Sequence, residues 1–186
     1  MKPHATPQAL VDYNTALLHQ LSVLVAQHHN AQDGPYAEFL GPHVRHIIEH
    51  YEALIQPAKA SRDTVPKVVN YDARERDLQV QTVARVALER IATLSAALQA
   101  MASWSPAAFA APLELRCQGG EQGQLCFATQ SSILRELAFV ASHCVHHFAM
   151  VKLHALQHGK DLGPHFGKAP STVAHETALH AARAGC

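Results

Sequence analysis

The sequence lacks the features that mark membrane-spanning and secreted proteins. No apolar stretch approaches the roughly 18 residues that a membrane-spanning helix needs. Residues Met1–Leu10 show no basic region followed by an apolar run, so we expect no secretory signal. Lys plus Arg and Asp plus Glu both number 15, and no basic patch with interleaved aromatic residues occurs. A chain with this charge balance gives no reason to expect nucleic acid or an anionic membrane as a partner.

Cysteine is also scarce. The four residues Cys117, Cys126, Cys144 and Cys186 form neither a CxxC motif nor a dense framework. Without a signal peptide, reduced thiols and a cytoplasmic location are the expectation. Cys117 and Cys126 flank the centre of a predicted hairpin, so a redox pair there is the alternative to two reduced thiols. Cys144 lies on an apolar helix face and is interpreted as a small buried residue.

Histidine is the one residue type in clear excess. The 186 residues fit a single domain over 1–186, and 48% hydrophobic with 16% charged residues is typical of a globular chain. The 15 histidines exceed the usual share of about 2% several-fold. Compositional drift explains most of them, among them His4, His28, His29, His158, His175 and His180. The functional argument depends on two groups of the others.

Helical periodicity dominates the pattern of apolar residues. Four long helices are predicted at about Pro7–His28, from Gly41-Pro42 to about Pro57, at about Leu78–Met101, and at about Ser131–His158. A polar connection covers 61–76, a β-hairpin covers about 113–129, and a C-terminal loop and tail with a short helix from about Pro170 or Ser171 cover 160–186. This order predicts an all-α protein: an antiparallel four-helix bundle with a small β-hairpin insertion before the last long helix.

The predicted fourth helix carries a stripe of metal-binding residue types. His143 and His147 are four residues apart, so they project from one helix face within about 40° of each other. Glu136, seven residues before His143, falls on the same stripe, as does His154. The stripe borders an apolar face formed by Val140, Cys144, Phe148 and Val151. Two imidazoles at this spacing can bind one metal ion, whereas His146 is the poorer ligand.

The predicted second helix presents His43, His46 and His50 within about 60° of one another. They flank an apolar face, while the charged residues Arg45, Glu49 and Glu52 lie on the far side and are interpreted as solvated. If the second and fourth helices are neighbours, a three-histidine site forms. The alternative is two unrelated histidine-rich helix surfaces.

The motifs Gly41-x4-His46 and His143-x3-His147 resemble the DinB-like superfamily. Several stretches are similar to one bacterial branch of uncharacterised members: GPHVRHIIEHYEAL, VNYDARERD, SSILRELAFVASHCVHHFAM and FGKAPST. The resemblance implies a four-helix bundle in which three histidines, here His46, His143 and His147, hold a divalent metal. His43 and His50 then support or compete with these ligands. The predicted hairpin departs from a minimal family member.

Three neutral imidazoles leave at least one coordination position open, which is typical of a reactive rather than a structural site. The expected cofactor is one divalent transition metal: Zn, Ni or Fe. Relatives in the resembled family imply a thiol-dependent transferase, isomerase or hydrolase-type enzyme acting on a small molecule, with a low-molecular-weight thiol as a partner. Two other classes stay open: a non-catalytic metal-binding or stress-related protein with a structural ion, and a metal-free helical interaction module. A homodimer is a further alternative.

Two polar features are candidates for roles beside the metal. Glu136 is the candidate general base because it lies on the ligand stripe, and a capping or surface role is the alternative. Tyr71, Asp72, Arg74 and Arg76 cluster in the long connection, where arginines near a metal could hold a carboxylate. The alternative for that cluster is a solvated loop.

Overall fold

The chain is mostly helical and carries one small sheet. The structure is a computed structural model, and it describes residues 5–28, 36–59 and 67–184. Its α-helices are α1 Pro7–Ala26, α2 Gly41–Lys59, α3 Leu78–Thr82, α4 Ala84–Ala100, α5 Pro106–Phe109, α6 Ile133–Gln157 and α7 Pro170–Ala184. Its strands are β1 Val68–Asn70, β2 Pro112–Gly119 and β3 Leu125–Ser132. A π-helical turn, Tyr36–Leu40, precedes α2 and a 3-10 turn, Met101–Ser103, follows α4.

Contacts divide the chain into two compact units, Met1–Ala141 and Ser142–Cys186. The division falls inside α6, which is one continuous helix. The prediction of a single domain over 1–186 stays a prediction.

In the N-terminal unit, α4 packs against both α1 and α2. The apolar residues of these helices recur at three- and four-residue spacing and are buried, as the periodicity predicts. A fully buried polar residue lies among them: Asn14 donates to the carbonyl oxygens of Leu10 (2.8 Å) and Leu137 (3.2 Å) and accepts from the hydroxyl of Tyr51 (2.8 Å). With its donors and its acceptor paired, Asn14 joins α1, α2 and the start of α6 without leaving a polar group unpaired.

The prediction of an all-α four-helix bundle is wrong. The described residues contain seven α-helices and a three-stranded mixed sheet with the order β1-β2-β3. The predicted hairpin is confirmed, because β2 and β3 pair antiparallel. The feature that the sequence analysis missed is β1, which lies in the connection interpreted as irregular. It pairs in parallel with β2, so that Val68 lies opposite Glu114 and Val69 opposite Leu115. Three residues carry too little alternation to be recognised as a strand, and only the distant partner β2 defines it.

The predicted third helix is broken at Val83, which is extended (φ −123°, ψ 100°) and separates α3 from α4. In a continuous helix the carbonyl oxygen of Val80 would accept a hydrogen bond from the backbone N–H of Ala84, four residues later. Here it accepts from the hydroxyl of Tyr36 at 2.9 Å. Gly41 adds a second constraint, since a Cβ atom there would lie 1.8 Å from the carbonyl oxygen of Gln81. The start of α2 therefore packs directly on the backbone of α3, and only glycine fits at this contact.

The C-terminal unit contains the second half of α6, a loop and α7. Phe148 and Phe166 stack with ring centroids 4.7 Å apart. Gly167 lies against the backbone of Ala149, where a Cβ atom would approach to 2.7 Å. These contacts fold the loop back onto α6.

Candidate metal centre

Helix α6 holds the histidine pair. Its first turn is capped by Ser132, whose hydroxyl accepts from the backbone N–H of Arg135 at 3.3 Å. Ten residues on, the imidazoles of His143 and His147 lie edge to face, with centroids 4.6 Å apart and planes 77° apart. The helical spacing therefore brings the two rings to one face, as predicted. The ring of His146 lies beside them, with its centroid 5.5 Å from that of His147.

Helix α2 holds His46, whose imidazole is hydrogen-bonded to Arg74. The Nη1 atom of Arg74 lies 2.8 Å from Nδ1 of His46. A guanidinium can only donate, so Nδ1 of His46 accepts and a neutral His46 carries its proton on Nε2. While this hydrogen bond lasts, neither ring nitrogen of His46 offers a lone pair to a metal.

His50 lies directly beside His46. Its Nδ1–H donates to the carbonyl oxygen of His46 at 2.7 Å, which leaves the lone pair on Nε2. The ring is buried, with its centroid 4.1 Å from that of His46 and stacked on Tyr71 at 5.2 Å with 11° between the planes. His43, by contrast, contacts the ring of Phe39 at 5.0 Å. His50 is thus the better placed of the two additional histidines.

Glu49 is buried, and its interpretation as solvated is wrong. Only 3% of its surface is exposed, and its Oε1 accepts from the backbone N–H of Asp77 at 2.8 Å. Its Oε2 lies 3.4 Å from Nη1 of Arg74. Burial lowers the pKa of Arg74, Glu49 opposes this, and the positive charges of Arg76 and Arg45 add to the lowering. The segment after β1 therefore packs against α2, an arrangement that the helical pattern of α2 alone does not show.

Glu136 is fully buried and surrounded by donors. Its Oε2 accepts from the hydroxyl of Tyr71 at 2.8 Å, and its Oε1 accepts from Nη1 of Arg135 at 2.7 Å and from the hydroxyl of Ser131. Burial, then the charge of Glu136 and this hydrogen bond, raise the pKa of Tyr71. Because both carboxylate oxygens are engaged, the geometry favours a structural role for Glu136. Its role as general base stays a prediction that these contacts do not favour.

One ligand nitrogen from each of His46, His143 and His147 lies within 4.8 Å of those of the other two. These are the three residues that the sequence motifs single out. The group includes neither His43 nor His50. All three side chains are partly exposed.

The three histidines fit a transition-metal ion on two counts. Three nitrogens at about 2.0–2.1 Å from a zinc ion in tetrahedral geometry are about 3.3 Å apart, so small side-chain movements would complete the arrangement. Imidazole is also a ligand that transition metals prefer, unlike Mg or Ca. The fit carries one condition. Arg74 has to release Nδ1 of His46 before that ring can act as a ligand.

The two cysteines of the hairpin lie on opposite faces of the sheet. Cys117 is paired with Phe127, and Cys126 with Gln118. Directly opposed residues of an antiparallel pair share a face, and their neighbours point to the other. A disulfide across the hairpin between Cys117 and Cys126 is therefore excluded in this register. Cys144 is buried as predicted, and burial raises the pKa of its thiol.

Comparison with known proteins assigns no family to the chain. No family model matches it, and no solved structure matches it. A curated protein that is similar is FK506-binding protein 5 from Rhizopus delemar, with 30% identity over 125 residues. The match covers 67% of this chain and 31% of that protein, so the chain spans about a third of the length of its relative.

In the part of the chain that the structure describes, no helix combines the length and apolar character needed to cross a bilayer.

Proposed function

We propose that this protein binds one divalent transition-metal ion through His46, His143 and His147 and uses it in a reaction on a small molecule. The observation that carries the proposal is the convergence of three imidazole nitrogens within 4.8 Å. The three residues come from two distant stretches of sequence, and imidazole is a side chain that divalent transition metals prefer as a ligand. The resemblance to the DinB-like superfamily, which rests on the sequence motifs, points to the same three residues.

Three protein ligands leave at least one position of such an ion open to a small molecule. The ion would then act as a Lewis acid toward bound water or a thiol. We propose a thiol-dependent transferase or a hydrolase type of reaction, with a low-molecular-weight thiol as the partner and a reducing cytoplasm as the setting. Among the expected ions, Zn, Ni and Fe all suit this ligand set.

The second candidate is a non-catalytic protein in which the ion is structural. The observation that favours it is His50, which is buried with its ring centroid 4.1 Å from that of His46 and donates its Nδ1 proton to the carbonyl oxygen of His46. A fourth imidazole would close the coordination sphere, which is typical of structural sites. The two candidates therefore differ in the number of protein ligands and share the first three.

Metal analysis of purified, tag-free protein tests the proposal. Wild type should carry one equivalent of a transition metal, and His46→Ala and His143→Ala should each lose it. His175→Ala, which removes an exposed histidine of α7, is the matched control and should retain the metal. Wild type that takes up no metal after reconstitution would refute the proposal.

Cobalt substitution separates the two candidates. The d–d absorption of bound Co(II) reports coordination number and ligand type. An open site with a water ligand should change its spectrum when a small thiol is added, and His50→Ala should leave metal affinity nearly unchanged. For a closed four-histidine site, the Co(II) spectrum should not change when the thiol is added. His50→Ala should then weaken metal binding and lower the melting temperature of the metal-loaded protein.

A further inference from the structure

Three guanidinium groups lie around the segment 72–76, whose Arg74 side chain contacts His46. We propose that Arg45, Arg74 and Arg76 form a subsite for an oxyanion, the carboxylate or phosphate group of a small substrate. The proposal extends the proposed function by naming the charge of the molecule that the metal would act on. It depends on that function for its purpose, whereas the anion subsite itself can be tested without metal.

The contacts of these arginines leave donors unused. Arg45 reaches the carbonyl oxygen of Arg76 at 3.5 Å, and Arg76 reaches the carbonyl oxygens of Arg74 and Asp72 at 3.4 and 3.5 Å. These distances lie beyond the usual 2.7–3.2 Å of a good N–H···O hydrogen bond. Each guanidinium carries five N–H donors. The strong contacts of the group belong to Arg74, which donates to Tyr71 and His46 at 2.6 and 2.8 Å.

The carboxylates near these arginines do not pair with Arg45 or Arg76 in the described residues. Glu75, between Arg74 and Arg76, lies 3.9 Å from Arg90. Glu49 accepts from the backbone N–H of Asp77 and is 3.4 Å from Arg74, while Asp72 accepts from the backbone N–H of Gln118 at 2.7 Å. The guanidinium groups of Arg45, Arg74 and Arg76 lie in one short stretch of contacts, and like charges at such distances repel one another. An added anion would relieve this repulsion.

Two further features indicate a site rather than a crowded surface. The Nε atom of Arg45 is buried and has no hydrogen-bond partner within the described residues. Such a donor is costly unless a ligand or water pairs with it. Arg76 has a left-handed backbone (φ 55°), which is uncommon for a residue other than glycine and recurs at functional sites.

Arg90 shows what a purely structural arginine looks like in the same unit. Its Nε and Nη2 donate to both carboxylate oxygens of Glu52 at 2.6 and 2.7 Å, and its Nη1 lies 3.5 Å from Asp77. This bidentate pair satisfies the guanidinium with protein oxygens. Among the residues that the structure describes, Arg45 and Arg76 have no such carboxylate partner. An oxyanion with two oxygens would supply the missing acceptors.

Isothermal titration calorimetry of the full, metal-free chain tests the subsite. Succinate and inorganic phosphate are titrated separately, which distinguishes a carboxylate from a phosphate preference. At least one should bind, and Arg45→Gln and Arg76→Gln should each weaken that binding about tenfold, the effect of losing a charge-assisted hydrogen bond. The matched control is Arg85→Gln, an exposed arginine paired with Glu89, which should bind like wild type.

The outcomes separate this proposal from the previous one. Metal content is measured on the same preparations, and thermal melts show that each variant folds. Anion binding that depends on Arg45 and Arg76 supports the subsite even if no metal is taken up. Absence of binding of either anion to wild type overturns the subsite whatever the metal content. Equal weakening by Arg85→Gln overturns it as well, because the attraction would then be non-specific.

Discussion

Replacing Tyr71 by Phe removes one hydroxyl from the buried network around Glu136 and leaves the ring stack on His50 in place. The hydroxyl donates to a carboxylate that has no exposed surface. A hydrogen bond to a charged group contributes about 1.5–3 kcal/mol. We expect Tyr71→Phe to lower the free energy of unfolding by that amount in urea titrations with an unchanged m-value. Tyr36→Phe is the control, since its hydroxyl donates to a neutral carbonyl at 2.9 Å, worth about 0.5–1.5 kcal/mol.

The same variant makes a prediction about pH. The pKa of Tyr71 is raised in the folded protein, chiefly by burial. Above about pH 10 the unfolded chain loses this proton while the folded chain keeps it, so the free energy of unfolding falls as pH rises. The contribution is complete below about pH 10 and decreases by about 1.4 kcal/mol per pH unit above it. The decline should be shallower in Tyr71→Phe. Equal losses of unfolding free energy in the two Tyr→Phe variants would refute the buried network, as would an alkaline decline in Tyr71→Phe as steep as that of wild type.

Three further results are expected from the same structure. Gly41→Ala should destabilise the protein by about 3 kcal/mol or more in urea unfolding, because the new methyl meets the backbone of Gln81 and cannot be relieved by a rotamer change; a near-neutral effect would contradict this packing. Asn14→Ala should lower the free energy of unfolding by about 1–3 kcal/mol, because it leaves the hydroxyl of Tyr51 without its acceptor. Adding Tyr51→Phe to this variant should recover part of that free energy. Additive losses from the two substitutions would contradict the hydrogen bond between them. A thiol reagent should label exposed Cys126 in the native protein, and mild oxidant should produce no disulfide within the hairpin, as read by non-reducing mass spectrometry.

The bounds of the long helices and the contact between His143 and His147 are the parts that the sequence predicts well. Periodicity locates a helix because burial of one face dominates its stability, and this identifies α1, α2 and α6 closely. The i,i+4 spacing likewise brings His143 and His147 together, since both lie on one rigid element. The relative placement of residues within one unbroken helix is therefore predicted correctly here.

The errors all involve contacts between segments distant in sequence. Val83 interrupts a helical pattern because the hydroxyl of Tyr36 takes the carbonyl of Val80. Strand β1 exists only through its pairing with β2. Glu49 occupies the polar side of α2, yet it is buried because the segment after β1 covers it. Local pattern carries no information about which distant segment covers a given face, so these features could not be predicted from periodicity.

Arg74 links the metal proposal to the anion subsite and gives the last prediction. Its donation to His46 Nδ1 opposes metal binding, both by occupying a lone pair and by placing a positive charge beside the ligand. Arg74→Met removes both effects and keeps an unbranched side chain of similar reach. A net hydrogen-bond contribution of about 1.4 kcal/mol corresponds to a tenfold change in a dissociation constant. We therefore expect this variant to bind Zn(II) several-fold to tenfold more tightly in a chelator competition assay. The control variant Arg85→Met should bind Zn(II) like wild type. The same variant should bind succinate or phosphate more weakly, because the anion subsite loses one of its three guanidinium groups. Tighter anion binding together with weaker metal binding would show that Arg74 supports His46 as a ligand rather than competing for it.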